Sequence, residues 1–253
     1  MTGSRPTAIE EAVRICETAA GEGITVRLAG GLAIQYLTPG FPPRGGDRQD
    51  LDLATLSSDR RPLAQFLAGR GYVADKTFNA LYGHKQLYFQ SADTGRSLDV
   101  LVDRLHMCHT VEFAARLRRM PVTLDLADLL LTKLQIVELN EKDAQDVLYL
   151  CSAYPVRDGD EPGTIGLDRI RPIIGNDWGW WRTVTLNLDR ITSLASGDGQ
   201  GLVPAGGEHD AVGQLAMLAK AIDAAPKSLR WKARAKVGER VRWYEVPEET
   251  PHH

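Results

Sequence analysis

The chain has 253 residues, 43% of them hydrophobic, enough to bury a substantial core in one large domain or in one domain with a helical extension. A formal net charge of -3 supplies no general attraction for nucleic acid, so any such binding needs a local patch. No apolar run reaches the ~18 residues of a membrane span. The N-terminus lacks the basic-then-apolar layout of a secretory leader, and Cys16, Cys108 and Cys151 are odd in number and far apart; a cytoplasmic protein without disulfides or membrane contact is expected.

In chain order, Thr7 and Glu10 have the spacing of a capping box, and Ile9, Ala12, Val13, Cys16, Ala19 and Ala20 recur at helical spacing. Gly21-Glu22-Gly23 ends that helix. Residues 24–28 read as a buried strand, Gly30-Gly31 as a tight turn into a short helix over 32–37, and residues 38–46 as a loop. A strand carrying Asp50 and Asp52 follows, then a helix over 61–68 stopped by Gly71. Residues 86–90 and 97–102 predict two strands joined through a turn at Asp93-Thr94-Gly95. A helix near 111–118 and a short strand at 121–124 come next. From Asp125 the pattern is helical to about Tyr154. The polar stretch 155–163, rich in Asp, Gly and Pro, reads as the domain boundary, and only helices are expected beyond it: 167–174, 177–195 and 211–224, with 197–207 as a flexible connector. The expectation is an α+β fold with a mixed sheet flanked by helices in a catalytic domain, residues 1–155, followed by an all-helical region, residues 164–253.

The most informative feature is Gln49-Asp50-Leu51-Asp52-Leu53. Residues i and i+2 of a strand share a face, which aims Asp50 and Asp52 at one site. Two like charges so close repel, and a hard divalent cation resolves the conflict; Mg²⁺ commonly takes one or two carboxylates and completes its octahedron with water and phosphate oxygens. In residues 97–103 Leu98, Val100 and Val102 share one face, and Ser97, Asp99, Leu101 and Asp103 the other. If that strand lies beside the first, Asp99 brings a third carboxylate, placed to bridge a metal or to help deprotonate an attacking hydroxyl. The alternative is that Asp99 neutralises a nearby arginine. Gly30-Gly31 offers backbone N–H groups at a helix start with no Cβ in the way, and Arg48 has the chemistry to meet a phosphate.

This ordered set, Gly-Gly, Arg-x-Asp-x-Asp and a later Asp, resembles the nucleotidyltransferase superfamily of polymerase-beta-type fold. The segment from Leu131 to Asp146, with Lys133, Lys142, Asp143 and Asp146, is similar to the Lys…(Arg/Lys)-Asp-x-x-Asp helix of its AbiEii-like branch, which includes toxins that nucleotidylate tRNA. The resemblance covers roughly residues 24–150. It implies a metal site at Asp50, Asp52 and Asp99, served by Mg²⁺ or Mn²⁺. It implies that Gly30, Gly31 and Lys133 touch a nucleoside triphosphate such as ATP, and that Lys142, Asp143 and Asp146 organise the nucleotide site. It further implies an acceptor that is either tRNA or a hydroxylated small molecule, and an antitoxin partner. Leu32 stands where many members have Ser, and Lys142 where Arg is usual. A non-catalytic nucleotide-binding module of the same fold is the competing reading.

Three further groups stand out. His106, Cys108 and His109 have too few companions at metal spacing and read as ordinary polar residues. Trp178, Trp180 and Trp181 suit helix packing or stacking on a base. Lys227, Arg230, Lys232, Arg234, Lys236, Arg240 and Arg242, interleaved with Trp231, Trp243 and Tyr244, suit a phosphate-backbone surface or a solvated charged face.

Overall fold

The computed structural model describes residues 6–43, 50–196 and 200–247. The chain divides into two compact units. The first takes the residues through Pro39, then Pro43–Leu105 and Glu112–Asp125; the second takes Gly40–Pro42, His106–Val111 and the chain from Leu126.

In the first unit α1 (Ala8–Gly21) starts on the expected capping box: the Thr7 side chain accepts from the Glu10 N–H, and the Glu10 carboxylate accepts from the Thr7 N–H. Its Ala12, Ile15, Cys16 and Ala19 are buried, the stripe that a 3.6-residue period places on one face. Then come β1 (Val26–Leu28), α2 (Gly30–Leu37), β2 (Leu51–Thr55), α3 (Arg60–Ala68), β3 (Tyr72–Ala74), α4 (Lys76–Tyr82), β4 (Gln86–Ser91) and β5 (Ser97–Val102). The five strands form one sheet in the order β1-β2-β5-β4-β3. Only β2 and β5 run parallel; the other neighbours are antiparallel. The sheet is therefore mixed and helix-flanked, as the sequence predicts.

One face of the sheet centre is apolar. Leu51 and Leu53 of β2, Leu98 and Val100 of β5, and Leu87 and Phe89 of β4 are in register and almost fully buried. The strand period of 2 then sends Asp52, Asp99 and Tyr88 to the opposite face. Core packing on one side thus fixes which side chains meet on the other.

Three expectations for this unit are corrected. Residues 111–118 are not a helix: Thr110–Glu112 is a strand (β7), preceded by Arg104–His106 (β6), and Ala114–Arg116 is one 3₁₀ turn. Residues 121–124 make an isolated bridge from Thr123 to Leu28 instead of a strand. β3 and α4 fill a stretch in which no element is foreseen.

The second unit is built from α5 (Leu126–Leu134), α6 (Glu141–Ala153), α7 (Leu167–Asn176), α8 (Trp178–Ser196), α9 (Ala211–Ala224) and α10 (Leu229–Val237). The helix expected over 125–154 is two helices, because the Asn140 side chain accepts from the Asp143 N–H and starts a new one. All nine residues of α5 are buried, and it packs against α6, α7 and α8. For that reason α5 and α6 belong with the later helices in the second unit, which takes the chain from Leu126 onward. The stretch 155–163 is tied down: β8 (Val156–Arg157) pairs in parallel with β9 (Ile165–Gly166), the Val156 N–H donates to Gln214 Oε1 at 2.7 Å, and Arg171 meets Asp158 at 2.6 Å.

Candidate active site

Asp52 and Asp99 face each other across the parallel β2–β5 pair, in register. Directly paired strand residues project to the same side, so the two carboxylates share a site, both partly exposed. On the far side of β5, Tyr88 of β4 is in register with Asp99. Gln86 donates its side-chain N–H to Asp99 Oδ1 at 2.6 Å, and the Tyr88 hydroxyl donates to Ser97 Oγ at 3.0 Å. Gln86 is neutral, so this bond orients the Asp99 carboxylate without itself adding a counter-charge. Gln86 and Tyr88 are absent from the residues foreseen. The signal that marks them is their alternation on β4, legible only once β4 is known to neighbour β5.

Asp50 lies one residue ahead of β2 and is exposed. The described residues contain no group of three or more His, Cys, Asp or Glu side chains gathered as a metal cage. The paired carboxylates are Asp52 and Asp99, with Asp50 at the open end of the strand. Arg48 lies outside the described residues.

The glycine pair sits against this carboxylate pair. β1 ends at Leu28, the Ala29 N–H donates to the Asp52 carbonyl at 2.8 Å, and α2 begins at Gly30. Gly30 has φ +61°, and a Cβ on it would lie 2.2 Å from Asp52 Oδ2. Both facts require glycine: the backbone is left-handed, and the carboxylate occupies the space a side chain would take. Gly31 is the second residue of α2, whose N-terminus has no side-chain cap bond. The positive end of a helix is thus directed at a site bearing two carboxylates.

Lys133, Asp143 and Asp146 come together in the second unit. The Lys133 ammonium lies 2.8 Å from Asp143 Oδ1 and 2.9 Å from Asp146 Oδ2, all three residues buried. Burial by itself pushes the Lys133 pKa down; the charges of Asp146 and Asp143 outweigh it, and the net shift is upward. This ion triad clamps α5 to α6. Lys142 is exposed on the same helix.

The donor chemistry of the first unit fits a hard divalent cation. Asp52 and Asp99 offer oxygen ligands only, a pair leaves coordination positions for water and triphosphate oxygens, and the absence of a Cβ at Gly30 makes room for the Asp52 carboxylate itself.

No family model matches the chain, and no curated protein matches it. Among solved structures, the chain is similar to an antigenic nucleotidyltransferase-like protein from Paracoccidioides brasiliensis, with 13% identity over 89% of this chain and 96% of that one at a TM-score of 0.42. It is also similar to a STING-associated CdnE c-di-GMP synthase from Capnocytophaga granulosa, with 13% identity over 90% of this chain and 85% of that one at a TM-score of 0.27. Likeness at this level leaves the functional reading to rest on the residues themselves.

Proposed function

We propose that the protein is a metal-dependent nucleotidyltransferase. An acceptor hydroxyl or phosphate attacks the α-phosphorus of a nucleoside triphosphate, a new P–O bond forms, and the bond to the β-phosphate oxygen breaks to release pyrophosphate. The observation that carries this reading is the register of Asp52 with Asp99, set against a glycine that admits no Cβ.

Asp52 and Asp99, with Asp50 beside them, are the residues that hold Mg²⁺ or Mn²⁺ in this proposal. The bound cation supplies charge neutralisation for the triphosphate. Gly30 and Gly31 present backbone N–H groups to phosphate oxygens at the start of α2. Asp99 accepts the proton of the attacking hydroxyl, with Gln86 fixing the direction of its carboxylate. The triphosphate contact implied for Lys133 would require its ammonium to turn from Asp143 and Asp146, so its first role is to join two helices.

For the acceptor, a tRNA end is the reading favoured here over a hydroxylated small molecule. Lys232, Lys236 and Arg240 are exposed on and just after α10, where a polyanion would meet them. The test is transfer of label from each α-³²P nucleoside triphosphate, with purified tRNA or an extract of small metabolites as acceptor. Label in the tRNA fraction, lost with Asp52→Ala and with Asp99→Ala, is the expected result. Label confined to small molecules would correct the acceptor, and label surviving both substitutions would remove the mechanism.

A further inference from the structure

The second unit contains a cavity of about 640 Å³ that the chemistry above does not use. Arg230, Arg234 and Arg242 are among the residues that line it. Their situations differ. Arg234 is committed to the fold: it donates to the Gly238 and Val241 carbonyls, both at 2.6 Å, and lies 4.8 Å from the centre of the Trp178 ring. Arg230 and Arg242 are exposed; the Arg242 guanidinium lies 5.8 Å from the centre of the Tyr244 ring, and neither arginine makes an ion pair among the described residues.

The acidic groups at the cavity are already engaged. Asp177 Oδ1 accepts from the N–H groups of Gly179 and Trp180, at 2.7 and 3.1 Å. Glu245 Oε2 lies 2.8 Å from His106 Nε2. Two exposed arginines therefore line the cavity with no carboxylate committed to them, an arrangement that suits a phosphate.

The aromatic part of the wall is anchored by contacts of its own. Trp178 and Trp180 are buried and line the cavity, whereas Trp243 and Tyr244 are half-buried and meet edge to face at 5.4 Å. The Trp243 indole donates to Thr183 Oγ1 at 3.0 Å, which fixes its orientation. Gly179 lets this segment approach α8, since a Cβ there would lie 2.5 Å from the Trp243 carbonyl oxygen. Ring area held in place beside a cationic rim is a stacking platform.

We propose that this cavity is a second nucleotide site, lying within the helical unit and independent of the Asp52/Asp99 site. Arg230 and Arg242 take the phosphate, and the rings of Trp243 and Tyr244 take the base. The cavity is within the range of small-molecule sites, roughly 300–1,000 Å³, and an inorganic ion alone would leave most of it empty. A free mononucleotide and an unpaired nucleotide of an RNA present the same chemistry.

Every tryptophan of the chain, Trp178, Trp180, Trp181, Trp231 and Trp243, lies in this unit, so intrinsic fluorescence reports on it. The experiment titrates full-length Asp52→Asn protein in EDTA, which disables the other site, with adenosine monophosphate, inorganic phosphate, adenosine and an unstructured hexaribonucleotide. Saturable quenching by the monophosphate, at least tenfold tighter than by phosphate or adenosine, is expected. Arg230→Gln with Arg242→Gln should weaken it tenfold or more. Tyr244→Ala should weaken the monophosphate and leave phosphate binding unchanged. The single arginine variants, each expected to lose about threefold, serve if circular dichroism shows the double variant unfolded. Tighter binding of the hexanucleotide assigns the site to RNA, and tighter binding of the monophosphate assigns it to a free nucleotide. Equal affinity for phosphate and monophosphate, no saturation by either nucleotide form, or affinity untouched by the substitutions overturns the proposal.

Discussion

Gly30 carries two demands at once, a left-handed backbone at φ +61° and contact with the Asp52 carboxylate at the place where a Cβ would be. Gly30→Ala must therefore strain the backbone and displace Asp52, at a cost of about 1–3 kcal/mol in stability. Because the displaced group is one of the paired carboxylates, nucleotidyl transfer should fall by more than a hundredfold, whereas Gly21→Ala, with open space around it, should leave transfer unchanged. Steady-state rates of the two variants, with urea unfolding of each, check this. His109 offers a separate test. Burial pushes its pKa down to about 4, against opposing charges on Asp177 and Glu245. Its ring stacks on Trp180 at 4.8 Å and bonds Thr183 Oγ1 through Nε2. The native imidazole stays neutral where the unfolded one, with a pKa near 6.5, binds a proton. Lowering the pH from about 6.5 to 4 therefore favours unfolding, by up to about 3 kcal/mol from this residue. Urea midpoints at pH 7 and pH 5 should differ less in His109→Phe than in the wild type.

At the scale of elements, the α5–α6 clamp follows the rule for buried ion pairs. Lys133→Met leaves Asp143 and Asp146 buried without their counter-charge and should cost about 3–5 kcal/mol. Adding Asp143→Asn and Asp146→Asn should recover most of that loss, as guanidinium unfolding of the single and triple variants would show. The raised Lys133 pKa gives the sign of the pH effect: the contribution is complete below the ordinary lysine value, near 10.4, and is lost only as pH rises beyond it. The strands β2 and β5 were legible in sequence because each alternates apolar and polar residues around a buried face. β3 has three residues, too few for a period to register. The stretch 111–118 imitates a helix, since Val111, Ala114, Ala115 and Arg118 recur at three- and four-residue steps, yet its backbone extends and then makes one tight turn. α10 escapes notice because it buries no residue and shows no apolar stripe. In the site, Asp52, Asp99 and Gly30 could be found from spacing, but Gln86 and Tyr88 depend on a strand pairing that no local pattern encodes.

Over the whole molecule, composition reads the polar stretch 155–163 as a boundary, and the contacts of the chain add a second division. Residues 155–163 are held by the Val156–Gln214 hydrogen bond and the Arg171–Asp158 ion pair, and the division at Leu126 falls at the start of a helix whose residues are all buried. The first unit carries the paired carboxylates and the second carries the cationic helix and the aromatic cavity, so the two should fail separately under mutation. Lys232→Glu with Lys236→Glu should weaken tRNA association and make it less sensitive to salt, because fewer counterions are released, while leaving triphosphate binding unchanged; filter binding at two salt concentrations checks this. The central claim is that Asp52 and Asp99 support attack at an α-phosphorus. Pyrophosphate release from each nucleoside triphosphate in Mg²⁺, with tRNA present, tests it most directly. The account predicts release by the wild type and at least a hundredfold loss in both Asp52→Asn and Asp99→Asn, with the fold intact by circular dichroism; release by either variant at the wild-type rate would contradict it.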